Sequence, residues 1–189
     1  MRLLLVLAAL AACGGPVVKP STPTAPVTRT PVEPSEATGI PSDYVDAHVM
    51  QVVGLPEGAV VLLLDETTLA VLPIFVGGTE ATSIVLRMRG AAPPRPLTHD
   101  LLDTVMNKLH GALVKVQVDE LRDGVYVGSI FVRTEGRVIR IDARPSDALA
   151  LAIGNHVPIY VAKKVFDEAG APRDEIMRRF QPSASGPTT

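Results

Sequence analysis

Carboxylate, guanidinium and imidazole side chains suited to chemistry occur at three places in the chain, each beside the predicted start of a helix. Carboxylate oxygens are ligands that Mg²⁺ and Mn²⁺ prefer, arginine can clamp an anionic group, and histidine can transfer protons near neutral pH. Such groups could together support a metal-assisted hydrolysis. The candidate residues are Glu80, Arg95, His99, Asp100, Asp142, Arg144, Ser146 and Asp147.

The densest of these places is the stretch 142–154, and we expect the domain to form around it. Pro145 ends a strand, and Ser146 stands where a helix N-cap belongs. The residues that follow, 148–153, are apolar on every side, which is typical of a buried helix, and Gly154 is a stop signal. The pattern predicts a buried helix near 146–154 with polar side chains at its N-terminal end.

Apolar spacing elsewhere predicts an α+β fold with mixed or antiparallel sheets, built from two halves that are each a β-meander followed by a helix. A further helix, begun by Thr98, lies between the halves, and two short helices at 163–169 and 173–180 end the domain. The predicted strands are 43–53, 59–65, 69–76, 114–118, 125–133, 138–142 and 158–161. The apolar residues of the Thr98 helix that we expect to face inward are Leu101, Leu102, Val105, Met106 and Leu109.

The two halves share a short pattern at the start of their helices. Thr79-Glu80-Ala81 aligns with Ser146-Asp147-Ala148, each after a strand and a break. A true internal duplication would make Glu80 and Asp147 equivalent and could bring both carboxylates to one cleft. Local capping preferences alone would also produce this tripeptide, so both interpretations stand.

The chain begins with the features of an exported protein. Residues 1–12 read as a signal peptide, and the only cysteine, Cys13, directly follows the apolar run, as in a bacterial lipobox. We expect Cys13 to carry a lipid anchor; an ordinary signal peptide with a chance cysteine is the alternative. Residues 13–41 are proline-rich and predict a disordered linker, residues 42–180 the domain, and 181–189 a disordered tail. The residue after Cys13 is Gly14 and not the aspartate that signals inner-membrane retention in many Gram-negative bacteria. The outer membrane is therefore slightly favoured.

The composition argues against a strongly basic nucleic-acid-binding surface. The chain has 18 Lys and Arg against 20 Asp and Glu, a net charge of −2, and it has no tryptophan and few aromatic residues to stack on bases. It also contains no P-loop, no Gly-x-Ser-x-Gly motif and no His or Cys cluster. From the residues alone, only an exported α+β domain is predicted.

Four runs, taken in order, resemble the bifunctional nuclease domain family. They are residues 72–81 (LPIFVGGTEA), 95–101 (RPLTHDL), 121–126 (LRDGVY) and 142–152 (DARPSDALALA). The resemblance covers about residues 45–167 and implies an α+β fold, frequent dimerisation and a hydrolase that cleaves DNA and RNA without strong sequence preference. It supplies no agreed set of catalytic residues.

With this resemblance, the candidate residues can be given roles in phosphodiester hydrolysis. Glu80, Asp142 and Asp147 would hold Mg²⁺ or Mn²⁺, and His99, with Asp100 and Asp147, would transfer protons. Arg144, with Arg95 and Ser146, would bind the phosphate. Arg87, outside the runs, has no assigned role.

Other readings of the same residues remain open. His99, Asp100, Ser146 and Asp147 are also good helix starts, and Arg144 could simply tie its strand to the helix. The alternative function is a non-catalytic envelope module that binds a protein or a small ligand.

Overall fold

The computed structural model describes residues 30–32 and 39–180, which form nine strands and five helices. The predicted signal peptide, Cys13 and the C-terminal tail lie outside these residues. No described helix has the length and apolar content needed to cross a membrane. In chain order the elements are β1 (Thr30–Val32), β2 (Tyr44–Leu55), β3 (Gly58–Asp65), β4 (Ala70–Gly77), α1 (Gly78–Met88), α2 (Thr98–Lys108), β5 (Ala112–Arg122), β6 (Val125–Thr134), β7 (Arg137–Ala143), α3 (Pro145–Asn155), β8 (Ile159–Ala162), α4 (Lys163–Ala169), β9 (Ala171–Pro172) and α5 (Arg173–Phe180).

The described strands form one mixed sheet in which two antiparallel meanders flank β8. The order is β1-β7-β6-β5-β8-β2-β3-β4-β9, and β8 runs parallel to β5 and antiparallel to β2. The meander β2–β3–β4 leads into α1, and the meander β5–β6–β7 leads into α3. This arrangement confirms the α+β class and the two meander-plus-helix halves. β1 falls within the segment predicted to be a linker and pairs with β7.

Helix α3 is the buried helix that the sequence predicts. Five consecutive residues, Ala148–Ala152, are at most 1% exposed and pack with the apolar residues of the sheet. The helix begins earlier than predicted, because Pro145 occupies its first position and Arg144, not Ser146, is the N-cap. Proline suits that position, since its missing N–H would have no partner within the helix. The helix also continues through Gly154 and ends at left-handed His156.

The inward face predicted for α2 is confirmed for Met106 and wrong for its other four residues. Its buried residues are His99 and Met106. A row of four large apolar side chains, which we call the α2 outer face, points to solvent. Its members are Leu101, Leu102, Val105 and Leu109, which are 43–70% exposed. The amphipathic pattern correctly predicts a helix, but it does not indicate that polar contacts hold α2 to the domain.

The sheet face opposite α1 and α3 has its own cover and its own polar network. Ile176 of α5 is buried against Val60, Leu62 and Val71, so α5 docks on its own domain. Farther along this face, a buried carboxylate accepts hydrogen bonds from three strands. Asp119 Oδ1 accepts from Tyr44 (2.7 Å), and its Oδ2 accepts from Ser129 (2.7 Å) and Arg140 (2.8 Å). Burial and the bond to Asp119 raise the pKa of Tyr44.

Candidate functional site

Two carboxylates meet where α1 and α3 begin side by side. Glu80 and Asp147 are each the third residue of their helix, and Arg144, the N-cap of α3, lies between them. Arg144 Nη2 donates to Glu80 Oε1 at 2.6 Å, and Arg144 Nε donates to Asp147 Oδ2 at 2.7 Å. Arg144 therefore joins related positions of the two halves, while the common origin of the halves stays a prediction.

His99 joins this pair from the first turn of α2. Its Nε2 lies 3.1 Å from Asp147 Oδ1, and its side chain is only 7% exposed. Burial by itself would raise the pKa of Asp147, but hydrogen bonds from Arg144 and His99 outweigh it and lower the pKa. Asp147 is therefore ionised at neutral pH and accepts, so the Nε2–H of His99 donates. A neutral His99 then carries its free lone pair on Nδ1.

Arg144 is fixed by two acids and still reaches solvent. Hydrogen bonds to Asp147 and then Glu80 raise its pKa, so the guanidinium stays charged. Its side chain is 67% exposed, and its Nη1 donates to no acceptor in the described part of the chain. Arg144 can thus offer Nη1 to an anionic oxygen while it keeps both carboxylate partners. We call Glu80, His99, Arg144 and Asp147 the four-residue cluster.

Asp100 is not part of the four-residue cluster, although it neighbours His99. Its carboxylate accepts from the backbone N–H of Leu97 at 2.8 Å and from Arg87 Nη2 at 2.7 Å. Arg87 also lies 2.8 Å from Asp103 and is 9% exposed. From the sequence alone, Arg87 has no assigned role. The available signal in the sequence was the spacing of Arg87, which lies two turns after Glu80 on the helix face that also carries Ile84.

The remaining predicted site residues lie apart from the four-residue cluster. Asp142 is exposed on β7 between Ile141 and Ala143, which both pack against the core beneath α3. Since successive side chains of a strand point to opposite faces, Asp142 points away from α3. Arg95 is exposed in the loop between α1 and α2, and Ser146 is half-buried at the second position of α3.

The three residues predicted to hold a metal ion do not form a ligand set. Asp142 is on the other face of the sheet, and the oxygens of Glu80 and Asp147 are engaged by Arg144. Within residues 30–32 and 39–180, no group of three or more His, Cys, Asp and Glu side chains is arranged around a point where a cation could bind. The three predicted ligands therefore do not fit a single divalent ion.

Two open cavities reach the start of α1, where Gly77, Gly78 and Ala81 line them beside Glu80. These cavities, of about 670 and 730 Å³, share the β2–β3 turn, and one continues along α1 to Arg89. Neither is lined by a residue of the four-residue cluster. The chemistry is therefore concentrated at an exposed junction of helix ends and not in a deep pocket, an arrangement suited to a long, flexible substrate.

The lowered pKa of Asp147 predicts a pH-dependent contribution to stability. A carboxyl group whose pKa is depressed by folding stabilises the native state above its unfolded pKa and loses this effect as pH falls through the folded value. The ordinary value is 3.8, so the contribution should be intact at pH 5 to 7 and decline below about pH 4. Urea unfolding of wild type and Asp147→Asn checks this: the difference in unfolding free energy should shrink in acid, and a constant difference would contradict it.

Sequence comparison agrees with this geometry. The bifunctional nuclease domain matches residues 61–174, more than half of the chain, and this range contains all of the four-residue cluster. The chain belongs to the bifunctional nuclease domain family. An uncharacterized protein of Mycobacterium tuberculosis is 39% identical over 126 residues, which cover 64% of this chain and 75% of that protein.

Plant members of the bifunctional nuclease domain family are more distant and longer. Bifunctional nuclease 1 of Oryza sativa subsp. japonica is 26% identical over 113 residues, covering 58% of this chain and 34% of the rice protein. Bifunctional nuclease 1 of Arabidopsis thaliana is 26% identical over 111 residues, covering 57% of this chain and 34% of that protein.

Proposed function

We propose that this protein is a nuclease that hydrolyses phosphodiester bonds in both DNA and RNA at the four-residue cluster. The observation that carries the proposal is the exposed Arg144 guanidinium, held between two carboxylates beside a buried histidine. Membership of the bifunctional nuclease domain family supports the substrate class. The contact proposed for Arg144 is to a phosphate and not to a base, which accords with weak sequence preference.

The residues of the cluster divide the work between binding and proton transfer. Arg144 binds a non-bridging phosphate oxygen through Nη1 and stabilises the charge that develops on it. His99 accepts a proton from the attacking water at Nδ1, and Asp147 stabilises the resulting imidazolium through Nε2–H. The water oxygen bonds to phosphorus, the P–O bond to one sugar oxygen breaks, and that oxygen leaves as a hydroxyl group with a proton taken from solvent. Glu80 holds Arg144 in register with Asp147. Asp100 and Arg95 have no direct role in this scheme.

Cleavage of plasmid DNA and of an unstructured RNA by the purified protein tests the proposal. Each substrate is incubated with Mg²⁺, with Mn²⁺ and with a chelator, so that the dependence of cleavage on a divalent ion is measured directly. Cleavage of both polymers supports the proposal. Absence of turnover with every metal would overturn it in favour of the non-catalytic binding module, for which the α2 outer face supplies a contact surface.

The α2 outer face also supports the expected homodimer. Contiguous exposed leucine and valine side chains on one helix are typical of a surface buried by a partner. Leu101→Asp combined with Leu109→Asp should convert dimer to monomer in sedimentation equilibrium, since burying two carboxylates at such an interface is unfavourable. Val125→Asp, at the exposed valine that begins β6, is the control and should leave the dimer intact. A wild-type monomer at all concentrations would refute the dimer.

The proposed location is the bacterial cell envelope. A lipid on Cys13 would anchor the chain, the proline-rich linker would hold the domain away from the membrane, and the outer membrane is the preferred site. The nuclease would then meet DNA and RNA outside the cytoplasm.

A further inference from the structure

Helix α2 carries His99 but is fastened to the domain mainly by polar contacts. Met106 is its one buried apolar side chain, and the α2 outer face points to solvent. The polar contacts run from the carboxylates of α2 to α1 and α3. Asp100 and Asp103 contact Arg87 of α1, and Asp103 Oδ1 also accepts from Asn155 Nδ2 of α3 at 2.8 Å. The position of His99 thus depends on ionic and hydrogen-bonding partners.

Arg87 connects all three helices through one buried guanidinium. Its Nη2 lies 2.7 Å from Asp100 Oδ1 and 2.8 Å from Asp103 Oδ2, both on α2. Its Nη1 donates to the backbone carbonyl of Ala150, in the middle of α3, at 3.2 Å. A planar guanidinium can serve both helices at once, which the single ammonium of a lysine cannot do.

Gly154 provides the space that this guanidinium occupies. A Cβ atom at position 154 would lie 1.8 Å from Arg87 Nη1 and 2.7 Å from Arg87 Cζ, far inside van der Waals contact. Gly154 lies within α3, where glycine is less favourable than alanine. Its backbone has no left-handed conformation that would explain the glycine. The close approach of Arg87 does explain it.

We infer that Arg87, seated on Gly154, is a positioning residue that holds α2 so that His99 meets Asp147. This inference rests on the proposed function only for its consequence in catalysis; the placement of His99 can be measured without any substrate. Arg87 touches neither member of the His99–Asp147 hydrogen bond and acts through Asp100 and Asp103.

The test is a double-mutant cycle read by NMR and by cleavage rate. The Nε2–H proton of His99, hydrogen-bonded to Asp147, is followed in wild type, Gly154→Ala, Arg87→Met and the double variant. Gly154→Ala should broaden or remove this signal and lower cleavage by about 10- to 100-fold, because a displacement of about 1 Å can cost that much. In the Arg87→Met background, Gly154→Ala should cause little further loss, because the two atoms that clash most severely, Nη1 and Cζ, are gone.

The matched control is Gly78→Ala, at a helical glycine where an added Cβ meets nothing within 4 Å. It should keep both the His99 signal and the cleavage rate. An unchanged His99 signal in Gly154→Ala, or losses that add in the double variant, would overturn the inference. If the signal responds as expected while wild type cleaves no nucleic acid, the positioning role stands and the proposed function fails.

Discussion

Asp147→Asn is expected to reduce the cleavage of DNA and RNA by at least about 100-fold, the lower range for loss of assisted proton transfer. The Asp147 carboxylate accepts from Arg144 Nε and Nη2 and from His99 Nε2. An amide of the same shape removes the negative charge that Arg144 and His99 both contact. It also directs an NH₂ group at one of these donors, so the geometry of Arg144 or His99 is lost. Initial rates on a fluorescent oligonucleotide would measure the effect.

The control for this prediction is Asp142→Asn. The sequence placed both aspartates in one metal site, but only Asp147 lies beside α1, whereas Asp142 is exposed on the opposite face of the sheet. Asp142→Asn should therefore retain nearly all activity. Equal losses in the two variants would restore the metal-site hypothesis and remove the four-residue cluster as the sole centre.

Arg87→Met is expected to give the largest loss of stability, about 1.5–3 kcal/mol, the range for hydrogen bonds to charged groups, because the two carboxylates left behind are 31% and 19% exposed. Arg87 is 9% exposed and neutralises Asp100 and Asp103. Without it, two neighbouring carboxylates lose their shared cation, and the Ala150 carbonyl loses a donor. Urea unfolding followed by circular dichroism would measure the change in unfolding free energy.

Arg122→Met provides the matched comparison for Arg87→Met. Arg122 also pairs with an acid, Glu120, but its side chain is 68% exposed. A solvent-exposed pair contributes at most about 1 kcal/mol, so this variant should be nearly as stable as wild type. Similar losses in both variants would show that Arg87 does not hold the helices together.

Much of the fold follows from short-range patterns. Helices α4 and α5 have the predicted limits, and α3 is buried as its uniformly apolar sequence requires. Helix starts were placed late, since serine and threonine attracted the N-cap assignment. In the structure, Gly77, Leu97 and Arg144 are the N-caps. A proline at the first helical position was the correct signal for α3.

The candidate site was only partly predictable because its contacts join distant elements. Matching positions in two halves suggested that Glu80 and Asp147 meet, yet nothing local indicates that α2 brings His99 to them. Period-two alternation on β7, with Ile141 and Ala143 inward, could have excluded Asp142. Gly154 was read as a helix stop, whereas it makes room for an arginine from another helix. Such a close approach leaves no periodic trace in the sequence.

Cleavage rates of Arg144→Met and Arg140→Met, measured side by side on DNA and on RNA, test the central claim most directly. Arg140 lies within β7 and Arg144 directly follows this strand. Arg144 belongs to the four-residue cluster, while Arg140 binds Asp119 and Ser129 on the opposite face of the sheet. The account predicts that Arg144→Met loses about 100-fold or more on both polymers and that folded Arg140→Met remains active. Full activity in Arg144→Met, or loss confined to Arg140→Met, would contradict it.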